Sequence, residues 1–397
     1  MDIPALQRAL QEQELDGWLL YDFHGQNPTA LTALGLGGHM LTRRWYYLVP
    51  AVGEPRLLVN AIELGSFPAG VPGQRRAYAS WGSLQAELTA LVASLPPRRR
   101  VAMEYFPNAG IPYLSRVDGG TLEQLKALGL GEIVSSAELV QHFLCRWSPA
   151  QVESHRRALA VIDAAKDAAF ERIGELLRRG EGTSEVAMQR FLTDRFAEAG
   201  LTFDHAPIVA VNGHAGDPHY EPAPATDAPI QKGDLVLIDL WARGTGPTDV
   251  YADITWTGFC GDRPPPKAEA IFASAAAGRD AGLSLLRQAH RDGKTLEGWQ
   301  VDRAVRDRIS ADGFGEAFIH RTGHSIGTNV HGDGANIDDL ETHDTRRLVP
   351  GLAFSIEPGI YLPKEGLGVR TELDVFMGSE GPQVFSKIQE ALVRVAC

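Results

Sequence analysis

Residues 235–257 read LVLIDLWARGTGPTDVYADITWT, and they contain two apolar runs separated by a short loop at residues 242–248. Runs of this length and composition are typical of buried strands, and the loop can join them as an antiparallel pair. Asp239 ends the first run and Asp253 opens the second. A carboxylate next to such a run lies at the edge of the hydrophobic core and not on an open surface. Both side chains are therefore candidates for a functional site.

Two further carboxylates stand in the same kind of position. Glu357 follows the apolar run 353–356, and Glu372 lies within the run 369–375. Each acidic residue taken alone is better explained as a strand-end group that faces water or caps a turn. Four such groups brought together would repel one another, and burying them unpaired would cost much free energy. Together with His324, they indicate a centre in which divalent metal ions supply the opposing charge.

The composition is that of a globular protein and excludes several classes of function. The 397 residues suggest two or three domains, and 44% of them are hydrophobic. The net charge of −12 argues against nucleic acid as the main partner, and the one basic cluster, Arg98–Arg100, is better explained as a solvated turn. No run of about 18 apolar residues is present, so we expect no membrane span. The absence of a secretory pattern at the N-terminus and three widely spaced cysteines favour a reducing, cytoplasmic location.

The alternation of segments predicts an α+β chain with a boundary near Ser148. Residues 1–147 alternate helix-like and strand-like segments and form a smaller α/β domain. Ser148 can cap a long helix that starts at Pro149 and opens the larger domain, residues 148–397. Other predicted elements are a hairpin around Gly53, helices at 184–199, 266–289 and 298–311, and strands at 207–211, 234–240, 251–258, 352–356 and 369–377.

Seven short motifs stand in chain order in the second half of the sequence. They are Asp217-Pro218-His219-Tyr220, Leu237-Ile238-Asp239, Ala252-Asp253-Ile254-Thr255, Gly323-His324-Ser325-Ile326-Gly327, Asn329-Val330-His331, Ser355-Ile356-Glu357-Pro358-Gly359 and Val369-Arg370-Thr371-Glu372. Taken together, the motifs resemble those of the pita-bread metallopeptidases, family M24, and specifically the branch that acts on Xaa-Pro peptides. The resemblance covers residues 150–395 strongly. The N-terminal part is similar to the family's creatinase-type domain, with weaker motifs.

By that resemblance, five side chains hold two divalent metal ions. Asp239 chelates one ion, His324 and Glu357 hold the other, and Asp253 and Glu372 bridge both. Oxygen-rich ligation with one imidazole favours manganese, with cobalt or zinc as alternatives.

The resemblance also implies the chemistry. A water shared by two divalent ions has a lowered pKa and attacks the scissile carbonyl as hydroxide, and Glu357 is the general base that takes its proton. His219 and His331 are similar to the family's two outer histidines, which donate hydrogen bonds to the substrate or the reaction intermediate, or move a proton. Arg370, two residues from Glu372, is expected to form an ion pair beside the metal ligands.

The implied activity is hydrolysis of the imide bond of Xaa-Pro dipeptides by a homodimeric prolidase. Aminopeptidase P activity on longer Xaa-Pro-Yaa peptides is the alternative within the same branch. A metal-free creatinase-like or binding relative is a further alternative, disfavoured because all five ligands are present. Gly323–Gly327 also fits the G-x-S-x-G pattern of serine hydrolases, but residues 328–332 do not resemble the helix that this motif requires.

Several features depart from the family pattern. The loop between the two aspartates is longer than usual, and Asp249 within it is a second candidate ligand, although the Ala-Asp-Ile-Thr context favours Asp253. Trp241 replaces a small residue, Trp256 replaces the arginine that commonly follows Asp-Ile-Thr, and Gly332 stands where an acidic residue is common. We expect these residues to alter the wall of the site and the substrate preference more than metal binding.

Overall fold

The protein divides into two compact units, Met1–Leu144 and Cys145–Cys397. The computed structural model describes residues 1–96 and 99–397, so Arg98 of the basic cluster lies outside the described residues. The boundary predicted at residues 147 and 148 lies just inside the second unit. Within the described residues, no helix is both long and apolar enough to cross a membrane.

The first unit is a mixed sheet with helices. Its elements are α1 (Ile3–Glu12), β1 (Gly17–Asp22), α2 (Pro28–Leu34), β2 (Trp45–Pro50), β3 (Arg56–Asn60), β4 (Gln74–Tyr78), α3 (Trp81–Ala93), β5 (Arg100–Met103), α4 (Gly119–Ala127), β6 (Glu132–Ser135) and α5 (Ala137–Val140). The six strands form one sheet in the order β4-β3-β2-β1-β5-β6. β2 and β3 pair antiparallel, which confirms the hairpin predicted around Gly53. Leu19, Leu88 and Leu125 bring β1, α3 and α4 into one buried core.

The second unit contains the predicted metal ligands. Its elements are α6 (Pro149–Arg178), β7 (Thr183–Ser184), α7 (Glu185–Glu198), β8 (Leu201–Thr202), β9 (Ile208–Val211), β10 (Pro229–Ile230), β11 (Leu235–Gly244), β12 (Ala252–Cys260), α8 (Pro266–Arg291), α9 (Gly298–Ala311), β13 (Ala353–Ile356), β14 (Gly359–Leu362), β15 (Leu367–Arg370), β16 (Leu373–Gly378), β17 (Gly381–Val384) and β18 (Val393–Val395). One sheet runs β18-β12-β11-β8, with β9 also on β11, and a second runs β13-β16-β17. The hairpin β14-β15 and the helices α8 and α9 complete the unit.

The antiparallel pair β11 and β12 has two chemically different faces. Ile238, Leu240 and Ile254 are buried in one core with α6. Because side chains alternate along a strand, Asp239 and Asp253 lie on the other face. The hairpin therefore separates a hydrophobic face, which packs on a helix, from an acidic face.

The long helix α6 starts where the sequence predicts. Ser148 and Gln151 form a reciprocal capping box, in which the Gln151 N–H donates to the Ser148 side chain and the Ser148 N–H donates to the Gln151 side chain. Pro149 occupies the first turn, where its missing N–H costs nothing. These local signals fix the helix start independently of tertiary contacts.

The strand prediction for Asp239 was too short. Asp239 lies in the middle of β11, because residues beyond it continue to pair with β12 and then with β8. The prediction of one strand at 369–377 was also wrong. β15 ends at Arg370 and pairs with β14, whereas β16 starts at Leu373 and pairs with β13. The apolar pattern continues through the break because both strands are buried, so it does not reveal the change of partner.

The expectation that Trp256 forms part of the site wall was wrong. Trp256 lies on the helix-facing side of β12 and packs against the α6 core. The fully buried Lys166 of α6 places its ammonium 3.4 Å from the centre of the Trp256 ring and 2.6 Å from the Asp163 carboxylate. The stack joins helix to hairpin on the face opposite the acidic residues.

We expect Lys166→Met to lower the free energy of unfolding by about 2 kcal/mol, because a desolvated cation–π contact is lost and Asp163 keeps no buried partner. Urea denaturation followed by circular dichroism measures the change. Lys387→Met is the matched control. Lys387 contacts the same two carboxylates as Lys166, those of Asp163 and Asp167, and lies 2.8 Å from Asp167, but its side chain is exposed. The control should lose at most about 1 kcal/mol, and equal losses in the two variants would contradict the assigned role of Lys166.

Candidate metal centre

Three of the predicted ligands converge in the structure. Asp253, His324 and Glu372 are buried, and one ligand atom from each lies within 4.8 Å of the others. Within this group, His324 Nε2 lies 3.6 Å from Asp253 Oδ2. Residues from three distant parts of the chain thus form one group.

Backbone and side-chain hydrogen bonds hold Glu372 against β12. The Glu372 N–H donates to the Thr255 carbonyl at 3.1 Å, and the Thr255 hydroxyl donates to Glu372 Oε2 at 2.7 Å. Glu372 occupies the break between β15 and β16, where the backbone is free to pair with β12. Thr255 belongs to the Ala-Asp-Ile-Thr motif, but no local pattern predicts its contact with Glu372.

Glu357 joins the group through His324. Glu357 Oε1 lies 3.2 Å from His324 Nε2 and accepts a hydrogen bond from the Ser355 hydroxyl at 3.0 Å. His324 Nδ1 lies 3.1 Å from the Ser325 carbonyl, which favours the proton on Nδ1 and leaves Nε2 to face the carboxylates. Burial raises the pKa of Glu357, but the hydrogen bond and charge that a protonated His324 supplies, together with the charge of Arg370, outweigh that effect and hold the pKa below its ordinary range.

Asp239 is not one of the three converging ligands, and it forms an ion pair with Arg370. Its Oδ2 is 2.5 Å from a terminal nitrogen of Arg370, whose Nε is 3.9 Å from Glu357 Oε2. Arg370 therefore lies between Asp239 and Glu357. It does not pair with Glu372, its near neighbour in sequence, because the strand break turns Glu372 toward Thr255.

Tyr361 contacts Arg370 directly, and His320 supports it through Tyr361. The Arg370 Nη1 donates to the Tyr361 hydroxyl at 3.0 Å, and the Tyr361 O–H lies 2.8 Å from His320 Nε2. Burial lowers the pKa of His320 to about 4, so the ring is neutral near pH 7 and Nε2 can accept. The sequence did not single out Tyr361 or His320 for this task. Their polar side chains in otherwise apolar surroundings were the available signal.

The carboxylate of Asp374 is hydrogen-bonded to the backbone of Asp253. The Asp253 N–H donates to Asp374 Oδ2 at 2.9 Å, and His155 Nε2 lies 3.8 Å from the same oxygen. Burial raises the pKa of Asp374 well above its ordinary value and lowers that of His155 to about 4. Asp374 is two residues beyond Glu372, but nothing in the sequence distinguishes it from a surface carboxylate.

The predicted outer histidines lie beside this group. The His331 ring packs edge-on against His324, with ring centres 4.4 Å apart. Burial, together with the charges of His324 and Arg321, lowers the pKa of His331 to about 4, so the ring is neutral near pH 7. His219 is exposed on the loop 212–228, and its charge contributes to the lowered pKa of His331.

A buried glutamate, which the sequence analysis did not select, fastens that loop. Glu185 accepts hydrogen bonds from the Val211 N–H at 2.7 Å, from the Ala228 N–H at 3.1 Å and from the Tyr220 hydroxyl, and it lies 2.9 Å from His214 Nδ1. Glu185 opens α7 and is fully buried. One side chain thus joins both ends of the loop and its middle.

The buried oxygens of the three-residue group fit a divalent cation. Asp253 Oδ1 and Glu372 Oε1 are buried and have no hydrogen-bond partner among the described residues. Burial raises the pKa of both carboxyls well above ordinary values, and the charges of neighbouring carboxylates, Asp239 above all for Asp253, add to the effect. Two carboxylate oxygens and one imidazole nitrogen are a ligand set that suits manganese or zinc.

Three further residues singled out in the sequence, Asp249, Ser325 and Gly332, have structural surroundings of their own. Asp249 accepts a hydrogen bond from the Gly246 N–H at 3.0 Å within the hairpin loop. Ser325, of the G-x-S-x-G match, is buried and accepts from the Gly334 N–H, and no helix follows it. A Cβ at Gly332 would lie 3.0 Å from the Ser325 hydroxyl, so a larger residue there would require that hydroxyl to shift.

Comparison with known proteins gives one family. The profile of Metallopeptidase family M24 matches residues 153–379. The probable dipeptidase PepE of Mycobacterium tuberculosis (strain ATCC 25618 / H37Rv) is 34% identical over 235 residues, which are 58% of this chain and 56% of that protein. The Xaa-Pro dipeptidase of Pyrococcus furiosus is 30% identical over 243 residues, 61% of this chain and 63% of that protein. The matches to these relatives thus span less than two thirds of their lengths.

Solved structures match nearly the whole chain. Dipeptidase PepE from Mycobacterium ulcerans has a TM-score of 0.73 at 25% identity and covers 99% of this chain and 96% of its own. The prolidase from Pyrococcus horikoshii has a TM-score of 0.64 at 21% identity and covers 98% and 99%. The predicted α+β fold with a pita-bread catalytic domain is confirmed by these structures.

We expect manganese binding to the metal-free protein at pH 7 to release protons. The pKa values of Asp253 and Glu372 are raised by burial, so these carboxyls hold their protons to a higher pH than ordinary carboxyls do, and metal ligands must be deprotonated. Calorimetry in two buffers of different ionisation enthalpy counts the protons. Asp253→Asn should release fewer, whereas Asp249→Asn, in the same hairpin, should match the wild type. Zero release by the wild type would contradict the prediction.

We expect Glu185→Gln to loosen the loop 212–228. The amide loses one acceptor oxygen and turns a donor toward other donors, which costs roughly 1–3 kcal/mol. Hydrogen exchange at the Val211 and Ala228 amides should then accelerate about 10-fold or more, and kcat/KM should fall. Glu198→Gln, at the exposed end of the same helix, is the control and should change neither. Unchanged exchange in Glu185→Gln would remove Glu185 from this role.

Proposed function

The chain belongs to metallopeptidase family M24, and on that basis we propose that it hydrolyses the imide bond of Xaa-Pro dipeptides with a centre of two divalent metal ions. The observation that carries the proposal is the buried group of Asp253, His324 and Glu372, with its two unpartnered carboxylate oxygens. These atoms form a ligand set without a counter-charge of its own. Such a group is costly to fold unless a cation binds there.

We assign five side chains as ligands: Asp239, Asp253, His324, Glu357 and Glu372. Manganese suits this oxygen-rich set best, with cobalt or zinc as alternatives. When bound, two divalent ions lower the pKa of water and polarise a peptide carbonyl. The Arg370 guanidinium, which bonds to Asp239 and is fixed by Tyr361, keeps the remaining negative charge of the site balanced.

The proton transfers are assigned to Glu357 and the outer histidines. Glu357 lies at the edge of the ligand group, 3.2 Å from His324 Nε2, so its carboxylate is placed to take the proton of the attacking water. His331 is neutral near pH 7 and can donate an N–H to the oxygen that becomes negative in the transition state. His219, on the exposed loop, is assigned to positioning the substrate beyond the scissile bond.

The preference for proline follows from the chemistry of the imide bond. The proline nitrogen carries no hydrogen, and its ring is bulky, so a peptidase that recognises the amide N–H fits it poorly. A site that polarises the carbonyl does not need that N–H. The names of relatives support the assignment, since one similar protein is the Xaa-Pro dipeptidase of Pyrococcus furiosus.

The homodimer and the cytoplasmic location remain predictions.

The test compares kcat/KM of the manganese-loaded protein for Ala-Pro, Ala-Ala and Ala-Pro-Ala. We expect Ala-Pro to be cleaved at least about 10-fold better than either of the others, a difference of about 1.4 kcal/mol. The activity should vanish on exhaustive chelation and return with manganese. Asp249→Asn is the matched active control for Asp253→Asn, which should be inactive.

Two outcomes would change the assignment. If Ala-Pro-Ala is cleaved about 10-fold better than Ala-Pro, the protein acts as an aminopeptidase P. If the metal-loaded protein cleaves no proline-containing peptide, the proposed substrate is wrong. If the purified protein binds no metal, the proposal fails in favour of a metal-free relative.

A further inference from the structure

A tryptophan lies on the acidic face of the central hairpin. Trp241 of β11 is paired directly with Asp253 of β12, and Asp239 is paired with Thr255. Side chains of paired residues share a face, and their Cβ atoms are about 5 Å apart. The Trp241 indole is therefore an immediate neighbour of a proposed metal ligand, unlike Trp256, which lies on the helix side.

The part of Trp241 that remains accessible is hydrocarbon. The residue is half-buried, but its Nε1 is covered and has no hydrogen-bond partner among the described residues. A donor that is covered in this way does not face a ligand. The exposed surface of the side chain is thus aromatic carbon, which suits contact with an apolar group.

The Trp241 ring packs against a buried cluster near the site histidines. The cluster contains Tyr251 and Ile326, which lies two residues after His324. Val330, which precedes His331, packs against the same cluster. The position of the ring is therefore set by packing, and the ring has little freedom to move aside for a large substrate group.

The acidic face has two ends that can be told apart. At the end away from Trp241, Leu237 packs with Tyr220, the neighbour of His219. Leu237 and Trp241 are four residues apart, or about 13 Å along the strand. The proposed function assigns His219 to the part of the substrate beyond the scissile bond. The residue before that bond therefore lies at the Trp241 end of the face.

We propose that Trp241 is a specificity-determining residue, whose ring forms the floor of the pocket for the side chain before the scissile bond and limits cleavage to small residues there. The inference deepens the proposed function and rests on it for the identity of the substrate. A ring that fills this space excludes a large aliphatic or aromatic side chain by steric overlap. Each excluded methylene or ring contact changes kcat/KM by about 10-fold or more.

The experiment measures kcat/KM for Gly-Pro, Ala-Pro, Leu-Pro and Phe-Pro with the wild type and Trp241→Ala. We expect the wild type to prefer Gly-Pro and Ala-Pro, and the ratio of Phe-Pro to Gly-Pro to rise at least about 10-fold in the variant. Trp241→Phe, with a smaller ring, should lie between the two. Metal content, measured by elemental analysis, should equal that of the wild type in both variants.

The matched control is Trp256→Ala, which removes the same side chain from the other face of the same hairpin. It should lower stability and leave the ratio of Phe-Pro to Gly-Pro unchanged. A ratio in Trp241→Ala within about 2-fold of the wild type, or one that shifts equally in both variants, overturns the inference. If Trp241→Ala does not fold, Trp241→Leu and Trp241→Phe supply the same comparison.

Two further probes separate this inference from the proposed function. Gly-Ala and Phe-Ala carry the same first residues without proline, so a protein that cleaves them as well as Xaa-Pro loses the proposed function but still tests Trp241. If no dipeptide is cleaved, the dissociation constants of glycine hydroxamate and phenylalanine hydroxamate report on the same pocket. Trp241→Ala should then tighten phenylalanine hydroxamate relative to glycine hydroxamate, and no relative change overturns the inference.

Discussion

The burial of like-charged carboxylates on one face of the β11–β12 hairpin is the constraint on which the rest of the second unit depends. Asp253, Glu372 and Asp374 are all removed from solvent, and burial raises the pKa of each. Arg370 offsets the charge of Asp239, and His324 offsets that of Glu357. No cationic side chain is paired with Asp253 Oδ1 or Glu372 Oε1 among the described residues. In the metal-free protein the raised pKa values favour protonation, which offsets part of this cost, and a bound divalent cation would take the place of the protons.

The hairpin can hold these buried carboxylates because its two faces are chemically different. One face is apolar and packs on α6, where the Lys166 ammonium lies over the Trp256 ring. That packing stabilises the strands without using the acidic face. The other face is then free to hold Asp239, Asp253 and Trp241, which the alternation of a strand places side by side. A one-residue shift in pairing would exchange the two faces and destroy both functions.

The groups around the acidic face are held by interactions that have no counterpart in local sequence. The strand break at Glu372 allows its backbone to bond to β12, and Thr255 orients its carboxylate. Tyr361 orients Arg370, and Glu185 fastens the loop that carries His219. The contacts join residues from 9 positions apart, for Tyr361 and Arg370, to 117 apart, for Thr255 and Glu372. Together they convert a set of separate polar residues into one ordered site.

Local patterns along the chain were enough to predict the helix α6, the antiparallel hairpin and a set of candidate ligands, three of which converge in the structure. The reason is that capping, alternation and turn chemistry act over a few residues, and that carboxylates at strand ends are chemically distinctive. These patterns did not determine that the run 369–377 is two strands, that Arg370 pairs with Asp239, or that Trp256 faces the helix. Tertiary structure alone decided these points, because each depends on which distant strand supplies the hydrogen-bonding partner and on which side of a pleated strand a residue falls.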